Sequence, residues 1–175
     1  ASVIAGEEDP ARPLNTLSIG GLDVTTVDKR PSRTEQENAL YNGIAPFEIG
    51  PGDEVQIVRA ITTYTRNPEG VDDIALLDIT TMRTLHYVRK ALRERISLRF
   101  PREKLSERTP GKVRSEILDV LIKAEELEIV EAVIANKDGV VLERDLQDPN
   151  RLNAKIPVDV VNGLHVFAAR IDLLL

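Results

Sequence analysis

The stretch DITTMRTLHYVRKALRERISLRFPREKLSERTPGKVRSEILDVLIKAEEL, residues 78–127, decides the fold because it holds two long helical patterns around one polar loop. The first pattern predicts a helix from Asp78 to about Phe100, which Asp78 or Thr80 caps and Pro101 ends. The second predicts a helix over about 112–127. Apolar residues recur at three- and four-residue spacing, so each helix has one buried stripe. The stripes are Ile79, Met82, Leu85, Val88, Leu92, Ile96 and Phe100, then Val113, Ile117, Val120 or Leu121, Ala124 and Leu127.

Shorter patterns before and after the helices predict strands. A loop rich in glycine and proline comes first and is predicted to run over the surface. A helix that opens with a capping box of Ser32 and Glu35 follows it. Alternating apolar residues, bounded by turn formers, then indicate strands. The predicted elements are extended pieces at 17–19 and 22–27 within the loop 1–31, the helix 32–41, strands at 44–49, 54–64, 130–135, 140–145, 152–156 and 164–174, and a helical turn at 157–163.

These elements predict an α+β fold, with two main helices packed on a small, mostly antiparallel sheet. Two turns shape the predicted sheet. Asn136-Lys137-Asp138-Gly139 is a good hairpin turn between the strands at 130–135 and 140–145. Asp148-Pro149-Asn150 leads into the strand at 152–156.

Composition narrows the classes of function. A net charge of −6 and an aromatic content of 3% argue against nucleic acid as a partner. The absence of cysteine removes disulfides, thiolate zinc sites and cysteine nucleophiles. No apolar run approaches the ~20 residues that a membrane-spanning helix needs. His86 and His165 belong to no metal or catalytic motif, and no serine lies in a Gly-x-Ser-x-Gly context. The sequence therefore predicts no enzyme, cofactor, metal, membrane contact or small-molecule substrate.

The charge pattern of the two helices indicates a candidate interaction face. Between Arg83 and Lys104 there are eight lysines and arginines against two glutamates, whereas the second helix is rich in acidic residues. Four side chains share one predicted exposed face of the first helix: Arg83, His86, Lys90 and Arg93. This face either binds an acidic partner, or is solvated, or pairs with the chain's own acidic helix.

The end of the sequence, LHVFAARIDLLL at 164–175, has the alternation of a strand with apolar residues on both faces. His165, Phe167, Ala169, Ile171 and Leu173 share one face, and Val166, Ala168, Arg170 and Asp172 share the other. Such a strand is covered either by the chain's own sheet or by the sheet edge of another subunit. Asn162-Gly163 before it is a candidate hinge, because glycine tolerates unusual backbone angles.

An ordered set of segments resembles the C-terminal part of contractile tail sheath proteins of Mu-like phages, which are related to R-type pyocin sheaths. Each segment alone is weak, but together they span nearly the whole chain in order. The segments are TEQE (34–37), LYNGI (40–44), VRAITTY (58–64), LDITTMRTL (77–85), FPREKL (100–105), VLERD (141–145) and DPNRLN (148–153), followed by the terminal strand.

The resemblance implies a structural protein without catalysis, found in the virion tail and assembled in the bacterial cytoplasm. Subunits of this family stack as helically related rings around a tail tube and contract to drive the tube through a cell envelope. Related sheaths link neighbours by exchanging terminal arms, and a basic surface faces an acidic tube wall. Carried onto this chain, residues 164–175 are the donated strand, and the Arg83, His86, Lys90 and Arg93 face is the tube-binding candidate. The receiving hairpin would present Leu142, Arg144, Leu152, Ala154 and Ile156.

The same resemblance gives a domain organisation. Residues 1–50 would be the end of a preceding α/β domain of subtilisin-like but non-catalytic fold, 51–163 the C-terminal α+β domain, and 164–175 the exchanged arm. The chain begins at Ala1 without an initiator methionine, so we expect a longer parent protein, and we expect this part alone to be monomeric. Two departures from the family are a shorter loop at 106–111 and the absence of the N-terminal arm with most of the sheath's first half, so we expect that this chain alone does not build a sheath. The alternative from a different class is a fragment of a cytosolic ligand-binding or enzyme domain.

Overall fold

The computed structural model describes residues 1–172 and divides the chain into two compact units. One unit comprises Ala1–Thr81 together with the residues from Asn162 onward, and the other comprises Met82–Val161. The described strands form three separate two-stranded sheets, all antiparallel, rather than one predicted sheet. The mixture of helices with small antiparallel sheets is as predicted.

The first unit begins with helix α1 (Ser2–Gly6) and continues through a 3₁₀ turn (Val27–Lys29) to helix α2 (Arg33–Tyr41). The predicted capping box is confirmed, because the Ser32 backbone N–H donates to Glu35 Oε2 at 2.7 Å and the Glu35 N–H donates to Ser32 Oγ at 3.4 Å. Strands β1 (Phe47–Gly50) and β2 (Glu54–Ile57) then form the predicted hairpin, with Gly52 at a φ of 81° in its turn.

Three predictions for this unit are wrong at least in part, two of them in the loop at 1–31. The loop at 1–31 contributes to the core, since Ala11 and Leu14 are buried. Its residues 16–19 lie beside β2, where the Thr16 N–H donates to the Ile57 carbonyl at 2.8 Å and the Ile19 N–H to the Val55 carbonyl at 2.8 Å. Residues 22–27 form no strand.

The long predicted strand at 54–64 ends at Ile57, because the chain changes partner there. The Val58 N–H donates to the Pro46 carbonyl at 3.1 Å, and the next residues then run beside 77–79 instead of β1. The Thr62 N–H donates to the Leu77 carbonyl at 2.6 Å and the Ile79 N–H to the Ala60 carbonyl at 3.2 Å. This second pairing sets Arg59 close to Asp78.

The second unit contains the two predicted long helices, α3 (Ile79–Arg99, of which the first turn belongs to the other unit) and α4 (Thr109–Glu126). Both predictions are confirmed to within a few residues. The core lies between α3, α4 and the strands that follow, and Leu92, Ile96 and Phe100 pack against it as the stripe predicted. Its buried members are Val88, Val113, Ile117, Leu121, Ala124, Ile129, Val130, Val133 and Val140.

The predicted hairpin at 130–145 is wrong. Strand β3 (Val130–Glu131) pairs with β6 (Asp159–Val160), and helix α5 (Val133–Asn136) with a 3₁₀ turn (Lys137–Gly139) fills the space where the hairpin was expected. Ala132 adopts a left-handed φ of 54°, which ends the strand and turns the chain into α5. The helical turn buries Val133 beside Val130, whereas in a continued strand these two side chains would point to opposite faces. The predicted helical turn at 157–163 is also wrong, because β6 is extended there.

Strands β4 (Val141–Arg144) and β5 (Leu152–Lys155) form the third sheet. Beyond β6, residues 161–172 form neither a helix nor a strand with the part of the chain that the structure describes. The terminal strand predicted at 164–174 is therefore not formed within the chain over its described residues, and Leu173 lies outside them.

Candidate assembly surfaces

The β4–β5 hairpin has two free edges. Its register pairs Leu142 with Ala154 and Arg144 with Leu152. Among residues 1–172, neither strand pairs with a third one, so each keeps one row of backbone N–H and C=O groups without a strand partner. Such an edge is a template for an added strand.

The five side chains predicted to receive that strand share one face of the hairpin, because partners in register and residues two apart point the same way. Leu142, Leu152 and Ile156 on this face pack against the unit's own core, while Ala154 is exposed. Arg144 Nη2 donates to the Leu105 carbonyl at 2.6 Å and ties the hairpin to the loop after α3. An added strand would therefore contact the backbone edge rather than these side chains.

The turn of the hairpin is held by Asp145. Asn153 Nδ2 donates to Asp145 Oδ2 at 2.8 Å, and the N–H groups of Gln147 and Asp148 donate to Asp145 Oδ1 at 2.8 and 3.0 Å. These hydrogen bonds lower the pKa of Asp145 to about 2, with Asn153 the largest contributor. The carboxylate is consequently ionised at any physiological pH and fixes the geometry of both strands.

The segment 164–172, called the terminal arm below, exposes large apolar side chains. Phe167 is 84% exposed and Ile171 is 94% exposed, and Leu164 and Val166 are also exposed. Ala168 and Ala169 are exposed as well, and Arg170 pairs with Asp172 at 2.8 Å. An exposed apolar patch with strand alternation is typical of a protein contact surface.

The base of the terminal arm is different. The His165 side chain is 17% exposed, and its Nε2 lies 3.5 Å from Asp78 Oδ1. Asp78 in turn accepts a bidentate pair of hydrogen bonds from Arg59, at 2.9 Å from Nε and 2.6 Å from Nη2. Burial and the charge of Arg59 lower the pKa of His165, although Asp78 acts in the opposite direction. The predicted hinge residue Gly163 lies close by, since a Cβ placed on it would be 2.6 Å from Pro13 Cγ and 3.1 Å from His165 Nε2.

Three of the four residues predicted to form a basic face on α3 are exposed. His86, Lys90 and Arg93 are exposed, and Lys90 lies 3.8 Å from Glu94 on its own helix. Arg83 is half-buried. The face thus consists of three solvated side chains along two turns of the helix.

Two other arginines of α3 pair with the acidic helix α4. Arg95 Nη1 lies 3.0 Å from Glu116 Oε2 and 2.9 Å from Asp119 Oδ2, and Arg99 Nη2 lies 3.0 Å from Glu116 Oε1. Burial alone raises the pKa of Glu116, but the hydrogen bonds from both arginines hold it below its ordinary value. Internal pairing therefore accounts for Arg95 and Arg99, which leaves His86, Lys90 and Arg93 available for a partner.

Sequence patterns gave no signal for the contact of His165 with Arg59 and Asp78. Asp78 was interpreted as a helix cap, and Arg59 as one member of a long strand. The three residues meet because the backbone at 60–62 pairs with 77–79 and the chain returns at 162–165. A long-range pairing of this kind leaves no local spacing to recognise.

Other chemical features of residues 1–172 are few. No group of three histidine, aspartate or glutamate side chains in this range is arranged to hold a metal ion. None of the helices described in this range is long and apolar enough to span a membrane. An open groove of about 430 Å³ runs between α3 and α4 and is lined by Tyr87, Leu98 and Leu127. Arg95 and Lys123 also line it, and each forms an ion pair with an acidic residue of α4.

Comparison with known proteins identifies the family. The model of the phage tail sheath C-terminal domain matches residues 71–173, more than half of the chain, and the model of the phage tail sheath central domain matches residues 1–63. The chain belongs to the phage tail sheath family. The sheath chain is 32% identical to the Mu-like prophage FluMu tail sheath protein of Haemophilus influenzae over 188 residues, covering all of the chain and 38% of that protein.

Solved structures support the same fold for this sheath chain. It matches a chain of the anti-feeding prophage baseplate with a TM-score of 0.70 at 12% identity, covering 97% of the sheath chain and 47% of the other. The helical sheath of the anti-feeding prophage in its contracted state gives 0.65 at 14% identity, covering 97% and 45%. The sheath tail protein of Desulfitobacterium hafniense gives 0.66 at 11% identity, covering 89% and 35%.

The sheath chain therefore spans less than half the length of the relatives that it matches. Membership in a family of structural tail components decides between the two classes that the sequence left open. It favours the sheath over a fragment of a ligand-binding or enzyme domain.

Proposed function

We propose that this chain is part of a structural subunit that polymerises around a tail tube as a contractile sheath and contracts to drive the tube through a cell envelope. The observation that carries this proposal is the ordered match of both sheath domain models along the chain. A relative solved as a contracted helical sheath supports it. In this role the protein performs no catalysis and works through contacts between subunits.

Strand donation is the contact that the geometry supports best. The terminal arm has the alternation of a strand and no strand partner among the described residues, and the β4–β5 hairpin has free edges. Pairing of His165–Leu173 from one subunit with an edge of the hairpin in a neighbour would give the terminal arm a strand partner and cover one free edge of the hairpin. Main-chain hydrogen bonds of this kind tolerate sequence variation and survive large rotations when the linker before the strand bends.

The tail tube is the second proposed partner, and the basic face of α3 is its candidate site. Replacing Lys90 and Arg93 together by glutamate should strongly weaken co-purification of the parent protein with its tube protein, because the change reverses two exposed charges that would face an acidic wall. The matched control reverses Lys104 and Arg108, two exposed cations in the loop after α3. Co-purification that is equal for both double variants would count against this face.

The remaining parts of the proposal concern organisation and place. Residues 1–50 would close a preceding α/β domain of subtilisin-like but non-catalytic fold, 51–163 would form the C-terminal domain and 164–175 the exchanged arm. Subunits would assemble in the cytoplasm of the bacterial host and remain in the virion tail. The 175 residues alone would stay monomeric.

Electron microscopy of the full-length parent tests the function directly. Expressed with its neighbouring tube protein and viewed in negative stain, the parent should form hollow, striated tubes. Dispersed particles, both with and without the tube protein, would contradict the sheath function and direct attention to the groove between α3 and α4.

A further inference from the structure

The residues at the start of the terminal arm are packed against their own compact unit. Asn162, Gly163 and His165 belong to the same compact unit as Pro13, Arg59 and Asp78, and the contacts among these residues lie within that unit. The exposed fraction rises from 17% for the His165 side chain to 84% for Phe167 within two residues. Before this point exposed residues (Asn162 and Leu164) alternate with half-buried ones (Gly163 and His165), whereas every described residue after His165 is exposed, so His165 is the last packed residue of the segment.

We propose that His165 anchors the terminal arm to the Arg59–Asp78 pair, so that the arm pivots after His165 and not at Asn162-Gly163, and the donated strand begins at Val166 instead of His165. The functional meaning of this anchor rests on the proposed donation of the arm to a neighbour. The geometric statement, that the chain up to residue 165 moves with its own unit, stands on the contacts alone.

The Arg59–Asp78 pair beside His165 is held in a fixed geometry. Arg59 and Asp78 form a bidentate pair, with side chains that are 31% and 21% exposed, and the backbone on both sides of the pair is hydrogen-bonded between 60–62 and 77–79. A bidentate guanidinium–carboxylate pair is geometrically fixed. Both ring nitrogens of His165 are shielded from water without a hydrogen-bond partner among the described residues, and Nε2 lies 3.5 Å from Asp78 Oδ1, so the ring is held by packing. The ring thus fills a position that a loosely attached segment would leave open.

Gly163 has the properties of a packing glycine. A side chain there would collide with Pro13, since the added Cβ would come within 2.6 Å of Pro13 Cγ. Close approach of another group to the backbone, here the Pro13 ring, is a common reason for a glycine besides unusual backbone angles. A residue that is packed this closely on Pro13 is a poor pivot.

A reversible disulfide distinguishes a pivot at Asn162-Gly163 from a pivot after His165. In the full-length parent, cleared of any other cysteine, Pro13→Cys with Gly163→Cys is first assayed for disulfide formation, which needs Cβ atoms roughly 3.5–4.5 Å apart. A Cβ at 163 would lie 2.6 Å from Pro13 Cγ, which the first substitution removes, and 3.1 Å from His165 Nε2. The reduced form of the same variant controls for any displacement of His165. The bond would fix residue 163 to its own unit. We expect the oxidised variant to form tubes with the same yield as the reduced variant, because the pivot lies beyond the bond. Loss of tubes on oxidation, with recovery after reduction, would overturn the inference.

A second measurement on the free parent subunit keeps the inference testable if that variant folds poorly. A spin label on Leu164→Cys, next to the anchor, should be several times less mobile than one on Phe167→Cys, and both positions are exposed enough to carry it. Adding His165→Ala should raise the mobility at 164 to that at 167, whereas Arg170→Ala, which breaks only a pair within the arm, should not. Equal mobility at 164 and 167 with His165 present would overturn the anchor. If the parent protein without added cysteines forms no tubes, that result contradicts the proposed function. The spin-label measurement on the free subunit still decides whether His165 anchors the arm.

Discussion

Replacing both Phe167 and Ile171 by aspartate in the full-length parent is expected to abolish sheath tubes while the subunit stays folded. The two side chains are 84% and 94% exposed, so the free energy of unfolding of the subunit should change by less than about 0.5 kcal/mol. They share one face of the strand pattern, and in a neighbour's sheet that face would be covered. Covering two apolar side chains stabilises the contact by roughly 1.5–3 kcal/mol each, and burying two unpaired carboxylates there costs several kcal/mol more.

The measurement is negative-stain microscopy of the tubes, with thermal unfolding of the free subunit followed by circular dichroism. The matched control keeps the same positions apolar and β-competent, with Phe167→Leu and Ile171→Val, and should still form tubes. Tubes at the parental yield from the aspartate variant would show that the terminal arm makes no buried contact in the assembly.

The helices were predictable because their signal is local. A buried stripe repeats every three or four residues, and Pro101 and the polar residues after it mark where the first helix ends. The one error in the stripes is Leu127, which is exposed. It is the C-cap of α4, and Glu128 follows with a left-handed φ of 55°, so the chain reverses and Ile129 takes the buried position.

Strand pairing was less predictable because a strand pattern specifies faces and not partners. The residues at 130–135 have good β propensity and a good turn after them, yet β3 pairs with β6, almost 30 positions away. The terminal arm shows the same limit: its alternation was recognised, but no local signal identifies a partner. The β4–β5 hairpin was expected only from the family resemblance, although its strands are close in sequence and an Asp-Pro-Asn turn joins them.

Leu121→Ala tests the core that holds the hairpin in place, and it is expected to have the largest effect on stability. Leu121 is 2% exposed and belongs to the buried cluster of α3, α4 and β3. Removing its side chain should lower the free energy of local unfolding by about 2–5 kcal/mol, through lost transfer energy and the cavity left behind. Since the multidomain parent is not expected to unfold in one step, hydrogen exchange of peptides from α4 and β3 is the suitable measurement.

Since each 1.4 kcal/mol is a factor of ten, exchange in those peptides should accelerate from about 30-fold to a few thousand-fold. Leu127→Ala is the matched control, because it makes the same chemical change six residues along the same chain segment at a side chain that is 60% exposed. Its effect should stay below about 0.5 kcal/mol. Equal acceleration by both substitutions would mean that the helix is stabilised by its own propensity and not by the core. The β4–β5 edge would then not depend on that core for its position, although Leu142 and Leu152 pack against it.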